Sequence, residues 1–262
     1  MRVDVVLAPN PGPYTGPGTN TYVISSEGSA VILDPGPVID SHVAAIERAV
    51  DRYDVLSVLV THTHPDHAPA ANLLGRRIGV PVLGFAPGPE FEPTSTLSDG
   101  DVVEVGDALL TAVHTPGHTD DHLCYRIADV VFTGDHIMGG STVIIEDTAA
   151  YMRSLEKVRG LRPAHLYPGH GPEIDDASAA ITEYINHRIE RERQVVDAIR
   201  KGASTVVDIV RVVYGDVDEA LVPAAEIQVR SQLQKLTSES RVSYRRGADE
   251  DETIQLVEDS RS

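Results

Sequence analysis

The chain of 262 residues is short of several residue types. It contains one cysteine, Cys124, no tryptophan and three phenylalanines. A single cysteine cannot form an internal disulfide, which agrees with a reducing compartment. The sequence also lacks an apolar run of the roughly 20 residues that cross a bilayer, and its N-terminal segment lacks the length and cleavage region of a secretory signal. These absences predict a cytoplasmic protein with no membrane partner.

Basic residues are scarce relative to acidic ones. The sequence has 22 Lys and Arg against 40 Asp and Glu, a formal net charge of −18. This balance argues against a protein that coats nucleic acid by bulk positive charge, although a local basic face is still possible. Residues 1–186 hold 10 bases and 25 acids, whereas residues 187–246 hold 11 bases and 9 acids. The last sixteen residues, with one base and six acids, form an acidic tail.

Strand and helix patterns alternate in the first part of the chain. Short β-branched runs are bounded by Gly, Pro or Asp, and helical spacing of apolar residues occurs over Ile39–Arg52, Pro69–Ile78 and Ala149–Val158. This order predicts a layered α/β fold. The predicted strands are Val3–Leu7, Thr21–Ser25, Ala30–Leu33, Leu56–Thr61, Leu109–His114, Val130–Thr133 and His165–Tyr167.

The last third of the chain has a different, helical pattern. After a long helix, Thr205–Asp208 resembles a capping box ahead of a short helix, and a third helix begins near Val222. Two β-like runs follow, Val242–Tyr244 and Thr253–Val257. Three helices and a hairpin are the elements of a winged-helix module. The alternative is a plain helical cap that only covers the first domain.

A dense group of ligand-type side chains follows the apolar run Val58–Val60. His62 and His64 would point the same way at a strand end, and a turn into a helix would bring Asp66 and His67 to the opposite side of a shared site. Imidazole nitrogens and a carboxylate oxygen bind Zn²⁺, Mn²⁺ or Fe, and the scarcity of cysteine rules out a thiolate-rich structural site. A histidine-rich helix cap is the alternative.

Three later segments end apolar runs with further candidate ligands. They carry His118, Asp135 and His170, each beside a glycine that lets the backbone approach a metal closely. Each segment alone is a weak signal, because such turns occur in many loops. Together with the first run, in this order, they indicate one composite metal site.

The motifs THTHPDH, PGHT, TGDH and PGHG resemble the successive metal-ligand motifs of the metallo-β-lactamase fold superfamily. The resemblance implies an αββα sandwich, a metallohydrolase domain over residues 1–186, and a winged-helix-like domain with the acidic tail over residues 187–262. It implies two metal ions, zinc by preference and manganese or iron otherwise. The implied ligands are His62, His64 and His118 for one metal and Asp66, His67 and His170 for the second, with Asp135 as a bridge.

An N-terminal segment narrows the resemblance further. Residues 10–22, with Asn20 and Thr21 as candidate substrate-binding residues, are similar to the signature of the metallo-β-lactamase-like protein 2 family, which includes an endoribonuclease for single-stranded RNA. A proline-rich entry turn of purely structural role is the alternative. Asp135 stands near the position of a cysteine in class B1 and B2 β-lactamases, which favours a glyoxalase II or RNase Z type of site. By the same resemblance, Asp34 is a carboxylate that orients a ligand histidine.

The resemblance implies a hydrolase in which a hydroxide shared by two metals attacks the substrate, with Asp66 and Asp135 as catalytic residues. Single-stranded RNA is the preferred substrate, and a thioester or small ester, as in glyoxalase II, is the alternative. A nucleic-acid-binding regulator with a ligand-sensing metal site is the third hypothesis. No motif accompanies His42, His165 and His187, which we interpret as ordinary polar residues. The basic residues expected to bind RNA are Arg230, Lys235, Arg241, Arg245 and Arg246.

Overall fold

The computed structural model describes residues 1–140, 143–246 and 252–257. Two β-sheets lie face to face, and helices cover their outer faces. This is the αββα sandwich that the resemblance implied. Within the described ranges, no helix combines the length and the apolar character that a membrane-spanning segment requires.

The first sheet has six strands in chain order. The second strand pairs antiparallel with the first and the third. The third to sixth strands run parallel to one another. Two helices connect the parallel strands, α1 (Asp40–Val50) and α2 (Ala70–Ile78), and they pack on one face of this sheet. The strands are β1 (Arg2–Leu7), β2 (Asn20–Ser26), β3 (Ser29–Leu33), β4 (Asp54–Leu59), β5 (Val82–Gly84) and β6 (Ser95–Thr96).

The second sheet has five strands in the order β11-β10-β9-β8-β7. Its outer face is covered by α3 (Thr148–Gly160) and by the first half of α4 (Ala177–Arg200). The strands are β7 (Val102–Val105), β8 (Ala108–His114), β9 (Leu123–Ile127), β10 (Val130–Gly134) and β11 (His165–Pro168).

The alternation of side chains along the strands explains why β-branched runs dominate this sequence. In β3, Ala30 and Ile32 face the helices, whereas Val31 and Leu33 face the core between the sheets. Both sets are fully or almost fully buried. Because β3 is buried on both faces, it carries four successive apolar residues instead of an alternating pattern.

The C-terminal part contains α4, α5 (Val206–Val213), a 3₁₀-helix (Glu219–Leu221), α6 (Val222–Ser238) and the hairpin of β12 (Val242–Arg246) and β13 (Glu252–Leu256). The predicted winged-helix order is confirmed. The Thr205 hydroxyl caps α5 by accepting the backbone N–H of Asp208 at 3.1 Å. Of the predicted acidic tail, residues 247–251 and 258–262 lie outside the described residues.

Helix α4 belongs to both parts of the molecule. Ile181 and Ile185 pack on the outer face of the second sheet, whereas Val195 and Ile199 lie in the core formed by α5, α6 and the hairpin. The predicted boundary between residues 186 and 187 therefore falls inside this helix, and a division of the chain there stays a prediction. A continuous helix shared by two cores fixes their relative position.

Candidate metal centre

The seven candidate ligands follow the carboxyl ends of four strands and lie close together. His62, His64, Asp66 and His67 lie in the connection between β4 and α2. The other three follow β8, β10 and β11, whose carboxyl ends share one edge of the second sheet, because β8 and β10 are both antiparallel to β9 and β11 is parallel to β10. The sandwich thus assembles residues that are up to about a hundred positions apart in the chain.

The first group of ligands contains three imidazoles and one carboxylate: His62, His64, His118 and Asp135. Nε2 of His62 lies 2.9 Å from Nδ1 of His64 and 3.3 Å from Nε2 of His118. Nε2 of His118 lies 3.0 Å from Nδ1 of His64. Three ring nitrogens therefore converge on one point.

The second group is Asp66, His67 and His170. Nε2 of His170 lies 3.0 Å from Oδ2 of Asp66 and 3.2 Å from Nε2 of His67. Asp135 lies between the groups, with Oδ1 3.3 Å from Nε2 of both His67 and His170 and Oδ2 3.6 Å from Nε2 of His118. This is the division into three, three and one bridging residue that the resemblance implied.

Hydrogen bonds on the far side of the rings test whether these residues fit metal ions. Nδ1 of His67 faces Oδ2 of Asp34 at 2.9 Å, and Nδ1 of His170 faces the carbonyl of Gly18 at 3.1 Å. Both partners only accept, so in the neutral rings Nδ1 carries the hydrogen and Nε2 carries the lone pair. The two lone pairs face each other at 3.2 Å, an arrangement that repels unless a cation or a proton lies between them.

The first group shows the same arrangement. Nδ1 of His118 donates to the carbonyl of Ile144 at 2.6 Å. Thr61 Oγ1 donates its hydrogen to Asp34 at 2.7 Å, so it can only accept from Nδ1 of His62 at 3.0 Å. Nε2 of both His62 and His118 therefore presents a lone pair to the other ring. Among the described residues, buried Asp135 Oδ1 also has no hydrogen-bond donor of suitable geometry. The whole set fits a dinuclear metal site.

The electrostatics of the two groups differ. Burial lowers the pKa of His62 and of His118, so their rings are ready to act as neutral ligands. Burial also opposes charge on His67, but the carboxylates of Asp135, Asp66 and Asp34 outweigh it and raise its pKa well above the ordinary value. A proton and a metal ion compete for Nε2 of His67, and the same carboxylates attract both.

Two glycines allow the backbone to come this close. A Cβ atom on Gly169 would lie 2.7 Å from Cε1 of His67 and 2.9 Å from Oδ1 of Asp135. Gly134 has a φ of +48°, and a Cβ there would lie 2.8 Å from Nε2 of His122. The glycine in TGDH and the first glycine in PGHG are therefore required by space at the centre.

The other predicted site residues, Asn20, Thr21 and Asp34, lie around the metal ligands. Asn20 and Thr21 are buried: Nδ2 of Asn20 donates to the carbonyls of Pro168 and Gly171, and the Thr21 hydroxyl donates to the carbonyl of Asp34. These bonds hold the loops that carry ligands, and contact of Asn20 and Thr21 with substrate stays a prediction. Asp34 lies where the resemblance placed it, at hydrogen-bond distance from His67.

Two buried histidines that are not ligands also adjoin the centre. Nε2 of His122 accepts the backbone N–H of Asp135 at 3.2 Å, and its Nδ1 lies 2.9 Å from Thr115 Oγ1. His136 is fully buried, and neither of its ring nitrogens has a hydrogen-bond partner in the described part of the chain. His122 thus helps to position the loop that carries Asp135.

A cavity of about 490 Å³ opens onto the metal centre. Its walls come from the N-terminal loop, from the segment after β10, and from α4, α5 and α6, and most of its lining residues are apolar. The hydroxyl of Tyr14 donates to the carbonyl of Ala220 at 3.3 Å, which joins the N-terminal loop to the C-terminal part across the cavity. No sequence motif predicts this wall, since the residues that form it are far apart in the chain. Among its members are Pro13, Pro65, Met138, Val143, Ile144, Val217, Leu221, Ala224 and Ala225.

Comparison with known families gives two matches. The model of the metallo-beta-lactamase superfamily matches residues 14–170, and that of the beta-lactamase associated winged helix domain matches residues 205–250. The first match contains all seven candidate ligands.

Individual relatives match over most of the chain. A Caenorhabditis elegans protein named beta-lactamase-like protein 2 homolog is 32% identical over 243 residues, which cover 88% of this chain and 82% of the relative. An Aspergillus chevalieri protein named atrochrysone carboxyl ACP thioesterase is 34% identical over 258 residues, covering 93% and 83%. The solved structure of a beta-lactamase domain protein from Burkholderia ambifaria has a TM-score of 0.83 at 21% identity and covers 97% of this chain and 91% of its own.

Proposed function

Since this chain belongs to the metallo-β-lactamase superfamily, we propose that it is a dinuclear zinc hydrolase that cleaves thioesters or esters with an apolar acyl group. The coarser part of this statement, a metal-dependent hydrolase, follows from the family and from the His and Asp cluster. The choice of zinc and of substrate is the proposal. Neutral imidazoles and carboxylates are ligands that zinc accepts readily.

The proposal of a thioester or ester substrate is based on the apolar cavity. Enzymes bind apolar groups in cavities of this size, where burial of the ligand's apolar surface supplies binding free energy. The cavity is lined by His64, Asp66, His118 and Asp135 of the metal centre as well as by the apolar wall. An acyl group held against that wall would place its carbonyl carbon beside the ligands.

The surface expected to bind RNA is partly neutralised. Lys235 Nζ lies 2.5 Å from Glu192 and 2.7 Å from Glu239, and Arg241 also pairs with Glu192. Arg230 forms ion pairs with Glu226 and Glu252. Cations that already have carboxylate partners attract a polyanion weakly. RNA cleavage stays a prediction from the sequence, and the structure supplies less support for it than for an ester substrate.

A relative supports the same choice. The Aspergillus chevalieri protein, 34% identical to this chain, is named as a thioesterase for an acyl carrier protein. It matches 93% of this chain, which includes both the metal centre and the helices of the cavity wall.

The residues of the centre would have separate tasks in hydrolysis. Two metal ions held by these residues would lower the pKa of a water molecule and stabilise a developing oxyanion. Asp135 holds the two ligand groups together, because its two oxygens face different groups. Asp66 is the more exposed carboxylate, with 25% of its side chain accessible against 10% for Asp135. Asp66 is therefore positioned to accept a proton from the attacking water.

Parallel assays on one preparation test the proposal. Protein purified without chelator is expected to contain two metal ions per chain and to hydrolyse an octanoyl thioester of N-acetylcysteamine in preference to a single-stranded RNA or a β-lactam. Chelation should abolish the activity, and zinc should restore it. Asp66→Asn should keep the fold and lose about a hundredfold or more in turnover. Cleavage of RNA with no thioester hydrolysis would instead establish the sequence-based preference, and metal binding without turnover would favour the regulator.

A further inference from the structure

The cavity wall contains two arginines in addition to its apolar residues. Arg188 and Arg191 are one helical turn apart on α4, and both line the cavity that opens onto the metal centre. Arg188 is buried, with 3% of its surface exposed, and Arg191 is half-buried. A guanidinium remains charged at all relevant pH values. The wall that faces the substrate therefore carries fixed positive charge.

Arg191 is held in place by neutral groups only. Its Nη1 donates to the carbonyl of Val213 at 2.9 Å and to Oε1 of Gln194 at 2.9 Å, and its Nε donates to Nε2 of His187 at 3.3 Å. The guanidinium carbon lies 4.7 Å from the centre of the Tyr214 ring. These contacts fix the orientation of the side chain before any ligand binds.

No carboxylate within the described ranges forms an ion pair with Arg191, and its Nη2 makes no hydrogen bond there. The neighbouring acid on α4, Glu190, is bound to Arg193 at 2.6 Å and to Gln194 at 3.1 Å instead. Other basic residues of the C-terminal part, such as Arg193, Lys235 and Arg241, do form ion pairs with carboxylates. A partly buried cation without a carboxylate partner in a largely apolar cavity is costly, so the position of Arg191 indicates a ligand that brings the anion.

Gln228 also contributes polar atoms to the cavity wall. Gln228 of α6 is 6% exposed, and its Nε2 donates to the carbonyl of Val143, while its Oε1 is buried without a hydrogen-bond partner in the described part of the chain. Both Gln228 and Arg191 line the cavity. The wall therefore offers a polar acceptor as well as a charged donor, which exceeds what a purely aliphatic acyl group needs.

We propose that Arg191, flanked by Arg188, binds an anionic oxygen group of the substrate while the apolar wall holds the adjacent chain. This inference rests on the proposed ester or thioester substrate. The anion is a carboxylate on the acyl chain or a phosphate on the thiol leaving group, and both present oxygens that accept from the two hydrogens of Nη2. Arg191 is thus a specificity-determining residue for substrates that carry a negative charge remote from the scissile bond.

Three thioesters separate the two sources of the anion. The first joins an octanoyl group to N-acetylcysteamine and is neutral, the second carries a suberoyl group with a free terminal carboxylate, and the third joins the octanoyl group to phosphopantetheine. We expect the wild-type protein to have a lower KM for one charged thioester than for the neutral one. In Arg191→Gln the ratio of kcat/KM for that thioester over the neutral one should fall about tenfold or more, mainly through KM.

Two further variants control for damage to the fold. Arg193→Gln changes a neighbouring arginine on α4 that pairs with Glu190 and Asp197 and does not line the cavity, so it should keep the ratio within about twofold. Arg191→Lys keeps the charge and should retain part of the preference, although lysine cannot reproduce the guanidinium hydrogen bonds. Equal loss on charged and neutral thioesters in Arg191→Gln would mean that Arg191 only supports the helices, and the proposal would be wrong.

Binding measurements keep this test independent of hydrolysis. Thioether analogues of the three compounds cannot be cleaved, and their affinities for wild-type and Arg191→Gln protein are measured by calorimetry. Tighter binding of a charged analogue that depends on Arg191 supports the anion site even if no thioester is hydrolysed, in which case only the proposed function fails. Equal affinities for charged and neutral analogues in the wild-type protein would overturn the anion site.

Discussion

Asp34 shows how one side chain can position several parts of the metal centre. Its Oδ1 accepts the backbone N–H of Thr61 at 2.7 Å, and its Oδ2 accepts from the Thr61 hydroxyl at 2.7 Å and from Nδ1 of His67 at 2.9 Å. Asp34 also has a φ of +50°, a conformation that asparagine tolerates better than most residues. The substitution Asp34→Asn therefore tests the hydrogen bonds with little change in backbone preference.

We expect Asp34→Asn to lower metal affinity about 10- to 100-fold, because an amide NH₂ in place of Oδ2 would face two donors. Competition with a chromogenic chelator measures the effect. Asp51→Asn, an exposed aspartate just after α1, is the matched control and should bind metal like the wild-type protein. Unchanged affinity in Asp34→Asn would show that the ligand histidines do not need this carboxylate.

At the residue scale, the sequence predicted those site residues that lie in dense local motifs. The seven candidate ligands occupy four short segments, and the structure brings all seven together. His42 makes a contact that local sequence motifs do not predict. The sequence indicates an ordinary polar residue there. In the structure His42 is 2% exposed, and its Nε2 lies 3.0 Å from Thr21 Oγ1. Its partner is twenty-one positions away in another element, so no local pattern marks the pair.

At the scale of elements, the loop after β11 must pass close to the loop after β10. Gly169→Ala would place a methyl group 2.7 Å from His67 and 2.9 Å from Asp135, so either the loop or the ligands must move. We expect the variant to bind fewer than two metal ions and to lose most of its activity. Elemental analysis and the thioester assay report the two effects.

Gly160→Ala provides the matched control for this substitution. Gly160 ends α3, has no positive φ, and a Cβ there would meet no atom within 4 Å. Alanine should stabilise the helix end by about 0.5–1 kcal/mol or leave it unchanged. If both alanine variants kept two metal ions and full activity, the close approach at Gly169 would have no functional importance.

His187 in α4 is expected to make the stability of the protein depend on pH. Burial lowers the pKa of His187 to about 4, and the neighbouring charges of Arg188 and Arg191 add to the effect. Between its ordinary value of 6.5 and about 4, the unfolded chain binds a proton that the folded protein does not. The free energy of unfolding therefore decreases as the pH falls through this window.

His187→Asn should remove this contribution, so the variant should lose less stability than the wild-type protein between about pH 7 and pH 5. Urea denaturation at the two pH values measures the difference. His165→Asn, at the half-buried start of β11, is the control and should behave like the wild-type protein. Equal pH dependence in all three proteins would show that His187 titrates in the same way in the folded and the unfolded chain.

The sequence predicted elements well where the apolar pattern is continuous. Each of the seven predicted strands is present within about two residues, and the helical segments agree equally well. Four strands of the two sheets are absent from the seven predicted ones. Of these, β5, β6 and β7 lie toward the edges of the sheets, and β6 has only two residues, both exposed, whereas β9 is the middle strand of the second sheet. The side chains of edge strands make few contacts. Pairing with the neighbouring strand therefore determines where an edge strand forms more than its amino-acid composition does.

At the scale of the whole molecule, one buried contact joins α3 to α6. Ser231 Oγ accepts the backbone N–H of Thr148 at 2.7 Å and also lies 2.7 Å from the Thr148 hydroxyl. Both residues are 3% exposed. Ser231→Ala leaves a buried N–H without an acceptor, which costs about 1–3 kcal/mol.

We expect Ser231→Ala to lower the Tm of the entire chain in a single calorimetric transition, because α4 belongs to both cores. Ser178→Ala, an exposed serine in the first turn of α4, should leave the Tm nearly unchanged. Two separate transitions, with only the second one shifted, would show that the two parts unfold independently.

The cavity shows the limit of prediction from sequence at this scale. Tyr14, Met138, Arg191 and Leu221 line one space, yet they come from four distant segments. Only the packing of α4 and α6 against the sandwich brings these segments together. Patterns along the chain identify the ligands but not the shape of the cavity beside them.

The order of these parts along the chain has a consequence for biosynthesis. All seven candidate ligands precede residue 171, whereas the cavity wall requires Tyr214, Leu221 and Gln228. On the ribosome, domains tend to fold from the N-terminus while the remainder is still being made. The ligands thus emerge before the helices that later cover them, so metal ions can be acquired by the nascent chain while the entrance is still open to solvent.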